Sequence, residues 1–256
     1  MKSKKSKTIT IIGLDFFNGK VEEVLESLDN GGLFVFPSGP GLATINSDKK
    51  YHQSLKAADL IVADSGYMAL LWNLTHKVKI NRVSGLEFIT AFVSDPEIQK
   101  NSNILLVNPS QKEADANLRY LQQCGFRLSE SNLYLAPFYD KNRIEDEDLL
   151  KQIEEKKPKY IVINLGGGVQ EILGAYLKEN LSYRPAIICT GAAIAFLTGH
   201  QANIPTWADK LFLGWLIRCI EKPKLYIPRY LAAFKLVALM YKYELGSVFK
   251  RKEARL

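Results

Sequence analysis

The sequence predicts an α/β fold: a mostly parallel sheet with helices on both faces, followed by a basic helical appendage. Three observations carry this. Short Val/Ile/Leu runs alternate with helix-period segments from Thr8 to Gly191, as in parallel strands buried on both faces. Several of these runs end in small or polar residues that lead directly into a helix. Beyond about Pro205 the alternation stops, and aromatic residues interleave with lysines and arginines.

The elements follow in order. Thr8–Gly13 is a short strand. Leu33–Phe36 is a strand that runs into the turn-rich Pro37–Gly41, and Thr44–Lys56 leads into a helix. Asp59–Ala63 is a buried strand ending at Asp64-Ser65-Gly66, and Tyr67–Leu74 is helical. Asn103–Val107 is a strand, and the helix Lys112–Cys124 is closed by Gly125. Asn132–Leu135 is a short strand. Glu145–Glu155 is a helix whose acidic start suits the helix dipole. Tyr160–Leu165 is the clearest strand and enters Gly166-Gly167-Gly168, with a helix over Val169–Glu179. Ala186–Thr190 is the last strand and ends at Gly191. Residues 1–205 are expected to form one α/β domain and residues 206–256 the appendage.

Composition excludes several classes. Of the 256 residues, 47% are hydrophobic and 24% charged, which are globular values. Cys124, Cys189 and Cys219 form no Cys-x-x-Cys pair, so a disulfide scaffold and a cysteine-zinc site are excluded and a reducing cytoplasm fits. His52, His76 and His200 lack the i, i+4 spacing of a helical metal site. No metal is expected. Met1–Lys7 carries lysines without the apolar run of a signal peptide. Apolar stretches are too short for a membrane-crossing helix.

Charge is unevenly placed. The net charge is +7, and residues 206–256 hold 11 basic and 4 acidic residues, so the body is neutral. A basic, aromatic tail points to a phosphate-rich partner: a membrane surface, a nucleic acid or a nucleotide ligand. The neutral body and the lack of a recognition motif argue against nucleic acid.

In open α/β sheets ligands bind beyond the carboxyl ends of the strands. Three such ends carry unusual residues. Asp64 can serve as a general base at a strand mouth, or it can cap the helix that follows. Gly166-Gly167-Gly168 can let backbone N–H groups approach a ligand at a helix start, or can be a tight turn. It matches neither a dinucleotide fingerprint nor a P-loop. Thr190-Gly191 with Ala192-Ala193 allows close packing of either ligand or chain.

These residues recur in one order. Thr44-Ile45-Asn46, Asp64, Arg82-Val83-Ser84-Gly85 and Gly166-x-x-x-Gln170-Glu171 are followed by Gly191-Ala192-Ala193 with Gly199. Pro205-x-Trp207 and Trp215-x-x-Arg218-x-x-Glu221-x-Pro223, through Arg229-Tyr230, complete the set. The order resembles the WecG/TagA/CpsF glycosyltransferases of bacterial surface polysaccharide synthesis, from about Gly13 to Tyr230.

The resemblance implies a Rossmann-like fold and an inverting, metal-independent transferase. Its donor would be a UDP-sugar of the N-acetylmannosamine type or a related hexose or uronic acid, and its acceptor a sugar on a polyprenyl diphosphate. Asp64 matches the proposed general base, and Thr44, Asn46, Arg82 and Gln170 match pocket positions. Glu171 and Gly191 belong to the same motifs and join the substrate site. Arg218 and Arg229 match arginines that close over the diphosphate. The appendage would hold a cytoplasmic protein on the inner face of the membrane, and since the family often associates, a homo-oligomer is open. Ser65, Gly168, Val169, Ala195, Asn203, Gly214 and Lys224 depart from the family pattern. These departures bear on the donor and on activity more than on fold. A binding or scaffold subunit of a polysaccharide assembly is the competing reading.

Overall fold

The computed structural model describes residues 7–191, 193–199 and 214–243. Among these residues the strands are β1 (Thr8–Ile11), β2 (Leu14–Phe17), β3 (Gly32–Val35), β4 (Leu60–Val62), β5 (Ile104–Asn108), β6 (Leu133–Leu135), β7 (Tyr160–Ile163) and β8 (Ala186–Cys189). They form one sheet ordered β1-β2-β4-β3-β8-β7-β5-β6. β1 and β2 pair antiparallel, and the other neighbours pair parallel. The α/β fold expected from the sequence is therefore the one observed.

The helices are α1 (Val21–Ser27), α2 (Gly39–Leu42), α3 (Lys49–Ala57), α4 (Gly66–Thr75), α5 (Gly85–Ser94), α6 (Pro96–Asn101), α7 (Gln111–Gln123), α8 (Glu147–Lys156), α9 (Val169–Asn180) and α10 (Ala193–Leu197). The helices Gly214–Glu221 and Pro223–Ala233 come next, and residues 235–243 are helical as well.

Strand side chains alternate between two cores, as the period of two requires. Leu33, Val35, Ile161, Ile163, Ile187 and Cys189 join α3, α8 and α9 in one core. Phe34, Phe36, Val162 and Ile188 join α1, α5 and α7 in the other. The segment 235–243 completes the first core with Leu236, Leu239 and Met240.

The structure adds α1, α2, α6 and α10 to the elements expected from the sequence, and two further differences stand out. The first strand ends at Ile11, and Ile12 and Gly13 form a two-residue turn with φ of 50° and 75°. Both residues are left-handed, as the favoured hairpin turn needs. The chain then returns as β2, which carries the parallel sheet onward from Phe16 and Phe17. The second difference is α5, whose start is set by a reciprocal capping box between Ser84 and Glu87.

The connections define one crevice. β5 continues through α7 to β6 on one side, and β7 continues through α9 to β8 on the other. α7 packs into the second core and α9 into the first. Adjacent strands β5 and β7 thus send their chains in opposite directions over opposite faces. That is a topological switch point, where such sheets take ligands.

Candidate active site

Asp64 lies just past β4. Ser65 caps α4, its Oγ accepting from the Met68 N–H at 3.2 Å, so capping is done by the neighbour of Asp64. Asp64 Oδ1 instead accepts from the Gly85 N–H at 2.9 Å. Gly85 opens α5, so the carboxylate faces a helix amino end, where negative charge is favoured. Arg82 Nε donates to the Asp64 carbonyl at 2.8 Å. The Val83 N–H donates to Ala63 O at 3.2 Å. This backbone bond holds the segment before α5 beside the end of β4. It is why Asp64 and Arg82, distant in sequence, meet.

A second cluster sits at the start of α9. Gly168 has a φ of 89°, a conformation that glycine adopts without strain. Its N–H donates to Glu171 Oε2 at 2.6 Å, and Gln170 Nε2 donates to Glu171 Oε1 at 3.0 Å. Gln170 Oε1 accepts from the Gly191 N–H at 2.6 Å. Gln170 therefore ties the start of α9 to the turn after β8. Glu171 is 1% exposed. Burial pushes its carboxyl up to about 7, against the opposing hydrogen bonds from Gln170 and Gly168.

Tyr51 of α3 is buried and feels the charge of both clusters. Its phenol is pushed well above its usual value by burial first, then by Glu171, Asp48 and Asp64. The hydroxyl is thus within electrostatic reach of both Asp64 and Glu171.

The remaining expected residues lie further out. Thr44 and Asn46 are on the exposed turn after α2. Thr44 Oγ1 donates to Gly41 O at 2.8 Å, and Asn46 Oδ1 accepts from Tyr243 Oη at 3.4 Å. The second bond joins this turn to the helical segment 235–243. Arg218 and Arg229 stand on the helices Gly214–Glu221 and Pro223–Ala233, but their side chains lie outside the described residues, as does Asn203.

Several residues at this end of the sheet were not singled out from sequence. A Cβ at Gly168 would stand 2.8 Å from Lys141 Nζ, so that lysine overhangs the glycine loop. A Cβ at Gly166 or Gly167 would meet nothing within 4 Å, which leaves open space beside the loop. Asn108, Asn117 and Asn164 form a buried amide cluster at the ends of β5 and β7. Asn164 lies 56 residues from Asn108, and no local motif marks the three. Among the described residues, no three His, Cys, Asp or Glu side chains are grouped to hold a metal ion.

Comparison with known proteins adds a family. The model of the glycosyl transferase WecG/TagA/CpsF family matches residues 9–249. Similar curated proteins include the N-acetylglucosaminyldiphosphoundecaprenol N-acetyl-beta-D-mannosaminyltransferases of Staphylococcus aureus strains MRSA252 and NCTC 8325 / PS 47. Each is 22% identical over 223 residues, covering 83% of this chain and 84% of the relative.

Proposed function

Because the chain belongs to the WecG/TagA/CpsF glycosyltransferase family, we propose that it moves a sugar from a UDP-sugar to a sugar on a polyprenyl diphosphate. The product would enter a cell-envelope polysaccharide. The observation that carries this reading is Asp64, fixed by the Gly85 N–H at the mouth of β4 with Arg82 beside it.

The chemistry is a single displacement. The acceptor hydroxyl oxygen attacks the anomeric carbon, and the bond from that carbon to the UDP oxygen breaks. UDP leaves with the electron pair, the acceptor proton passes to the Asp64 carboxylate, and the anomeric configuration inverts. A fixed carboxylate avoids reorganisation at the moment of reaction. The departing diphosphate gains negative charge, which basic side chains can stabilise without a metal. Arg218 and Arg229 are assigned this task, supported by the basic surplus of residues 206–256. Gln170, held on Gly191 and Glu171, serves to position the turn after β8.

A lipid-borne acceptor requires contact with a membrane. No helix among the described residues is long and apolar enough to cross one. Leu231, Phe234 and Tyr241 are exposed on the C-terminal helices, beside exposed Lys235 and Lys242. Such a face suits an anionic interface. The names of the relatives support an N-acetylmannosamine donor and a lipid-linked N-acetylglucosamine acceptor.

The test is UDP release from a panel of UDP-sugars, with and without a lipid-linked N-acetylglucosamine analogue. Acceptor-dependent release with one donor is expected. No release by folded protein on anionic vesicles would favour the binding-subunit reading. One observation favours that second reading: Ala195, 3% exposed in α10, stands where the family pattern has an aspartate.

A further inference from the structure

Three polar residues end the two strands at the switch point and the strand next to them, without a role in the steps above. Asn108 ends β5, Asn164 follows β7 and Thr190 follows β8. The registers Leu106↔Val162 and Val162↔Ile188, carried two residues on, set them side by side on one face. They are 0%, 3% and 8% exposed. The preceding residues on that face, Leu106, Val162 and Ile188, are buried and apolar, so packing alone would favour apolar residues here.

The amide orientations are determined. Asn117 Nδ2 donates to Asn108 Oδ1 at 2.8 Å, and Asn164 Nδ2 donates to the same oxygen at 3.0 Å. Asn108 Nδ2 donates to Leu106 O at 3.1 Å. Reversing the Asn164 amide would set two carbonyl oxygens against each other. Its Oδ1 is thereby turned away from the cluster, and it has no hydrogen-bond partner; neither has Thr190 Oγ1. Buried polar atoms without partners are costly and rare. Of these two, Asn164 follows a strand that flanks the crevice where open α/β sheets bind ligands, and Thr190 follows the neighbouring strand β8. Gly166 and Gly167, just beyond Asn164, leave open space there.

We propose that Asn164 Oδ1 and Thr190 Oγ1 receive hydroxyl or N–H donors of the bound nucleotide sugar and so help set donor specificity. The inference rests on the nucleotide-sugar reading above. Calorimetric titration of wild type, Asn164→Leu and Thr190→Val with UDP and with UDP-N-acetylmannosamine tests it, together with thermal unfolding of the ligand-free proteins. Thr190→Val removes only a buried unpaired polar atom, so its ligand-free midpoint should stay equal or rise. Asn164→Leu also gives up the Nδ2 bond to Asn108 Oδ1, and its midpoint should fall by the scale of one hydrogen bond. Affinity should fall about tenfold, the scale of one hydrogen bond lost to a buried partner. A loss with both ligands places the donors on the nucleoside, and a loss with the nucleotide sugar alone places them on the sugar. Unchanged affinity for both ligands overturns the inference, whatever the midpoint does. If Asn164→Leu fails to fold, Thr190→Val decides alone. A wild-type protein that binds neither ligand would remove the functional reading itself, a result distinct from a variant that binds as wild type does.

Discussion

At the scale of residues, two carboxylates at the same end of the sheet are held in different ways. Asp64 is partly exposed and accepts from the Gly85 N–H, while Glu171 is enclosed and accepts from Gly168 and Gln170. The consequence for Glu171 can be measured. Its folded carboxyl keeps the proton up to about 7, whereas its ordinary value is 4.5. The folded state therefore binds more protons than the unfolded chain between those values. This contribution to stability is full below pH 4.5 and is lost as pH rises to about 7. The unfolding midpoint of wild type should fall over this window more steeply than that of Glu171→Gln. Parallel pH profiles would show that Glu171 is ionised throughout. Asp64 was legible in the sequence because a buried apolar run ends on it. The charge state of Glu171 was not, because it depends on burial that the tertiary fold creates.

At the scale of elements, close approach fixes α9 on the sheet and so fixes Gln170 and Glu171. A Cβ at Gly174 would stand 2.7 Å from Leu33 Cδ1 and 2.9 Å from Cys189 Sγ. Both neighbours are fully buried. Gly174→Ala gains helix propensity of up to ~1 kcal/mol, but overpacking costs about 1–3 kcal/mol. A net loss of stability in urea is expected, and a gain would mean that α9 can move outward at little cost. The segment 235–243 divides its faces in a similar way. Leu236 is fully buried, and Leu236→Ala should cost about 2–5 kcal/mol. Lys235 and Lys242 are exposed, so Lys235→Gln with Lys242→Gln should leave the unfolding midpoint unchanged. Binding to anionic vesicles should fall by about 2 kcal/mol, near thirtyfold, at about 1 kcal/mol per lysine. Equal sedimentation with vesicles would exclude this face from the membrane. Strands such as β7 were legible as continuous apolar runs. The β1–β2 hairpin was not, because its turn places Ile12 at positive φ, which a β-branched residue rarely adopts. The start of α5 was written in Ser84-x-x-Glu87, a signal that the apolar pattern overshadowed.

At the scale of the whole molecule, strand order brings the chemistry together. Asp64, Glu171 and the turn at Gly191 come from three strand–helix units, yet all lie at the carboxyl end of one sheet. Helix and strand alternation foretold such an end, but not which strands would be neighbours. The asparagine cluster shows the limit. Asn108 and Asn164 become partners only because β5 and β7 pair, a long-range contact that neither segment encodes alone. The basic surplus of residues 206–256 was legible from counting, and the docking of Leu236, Leu239 and Met240 against the first core joins that region to the body. The most direct measurement is acceptor-dependent UDP release by wild type beside Asp64→Asn, both checked for folding by thermal unfolding. The asparagine can still accept from the Gly85 N–H, so the fold should persist while release falls by at least about a hundredfold, the scale of a lost general base. Release by Asp64→Asn at the wild-type rate would contradict the assignment of Asp64 as the base.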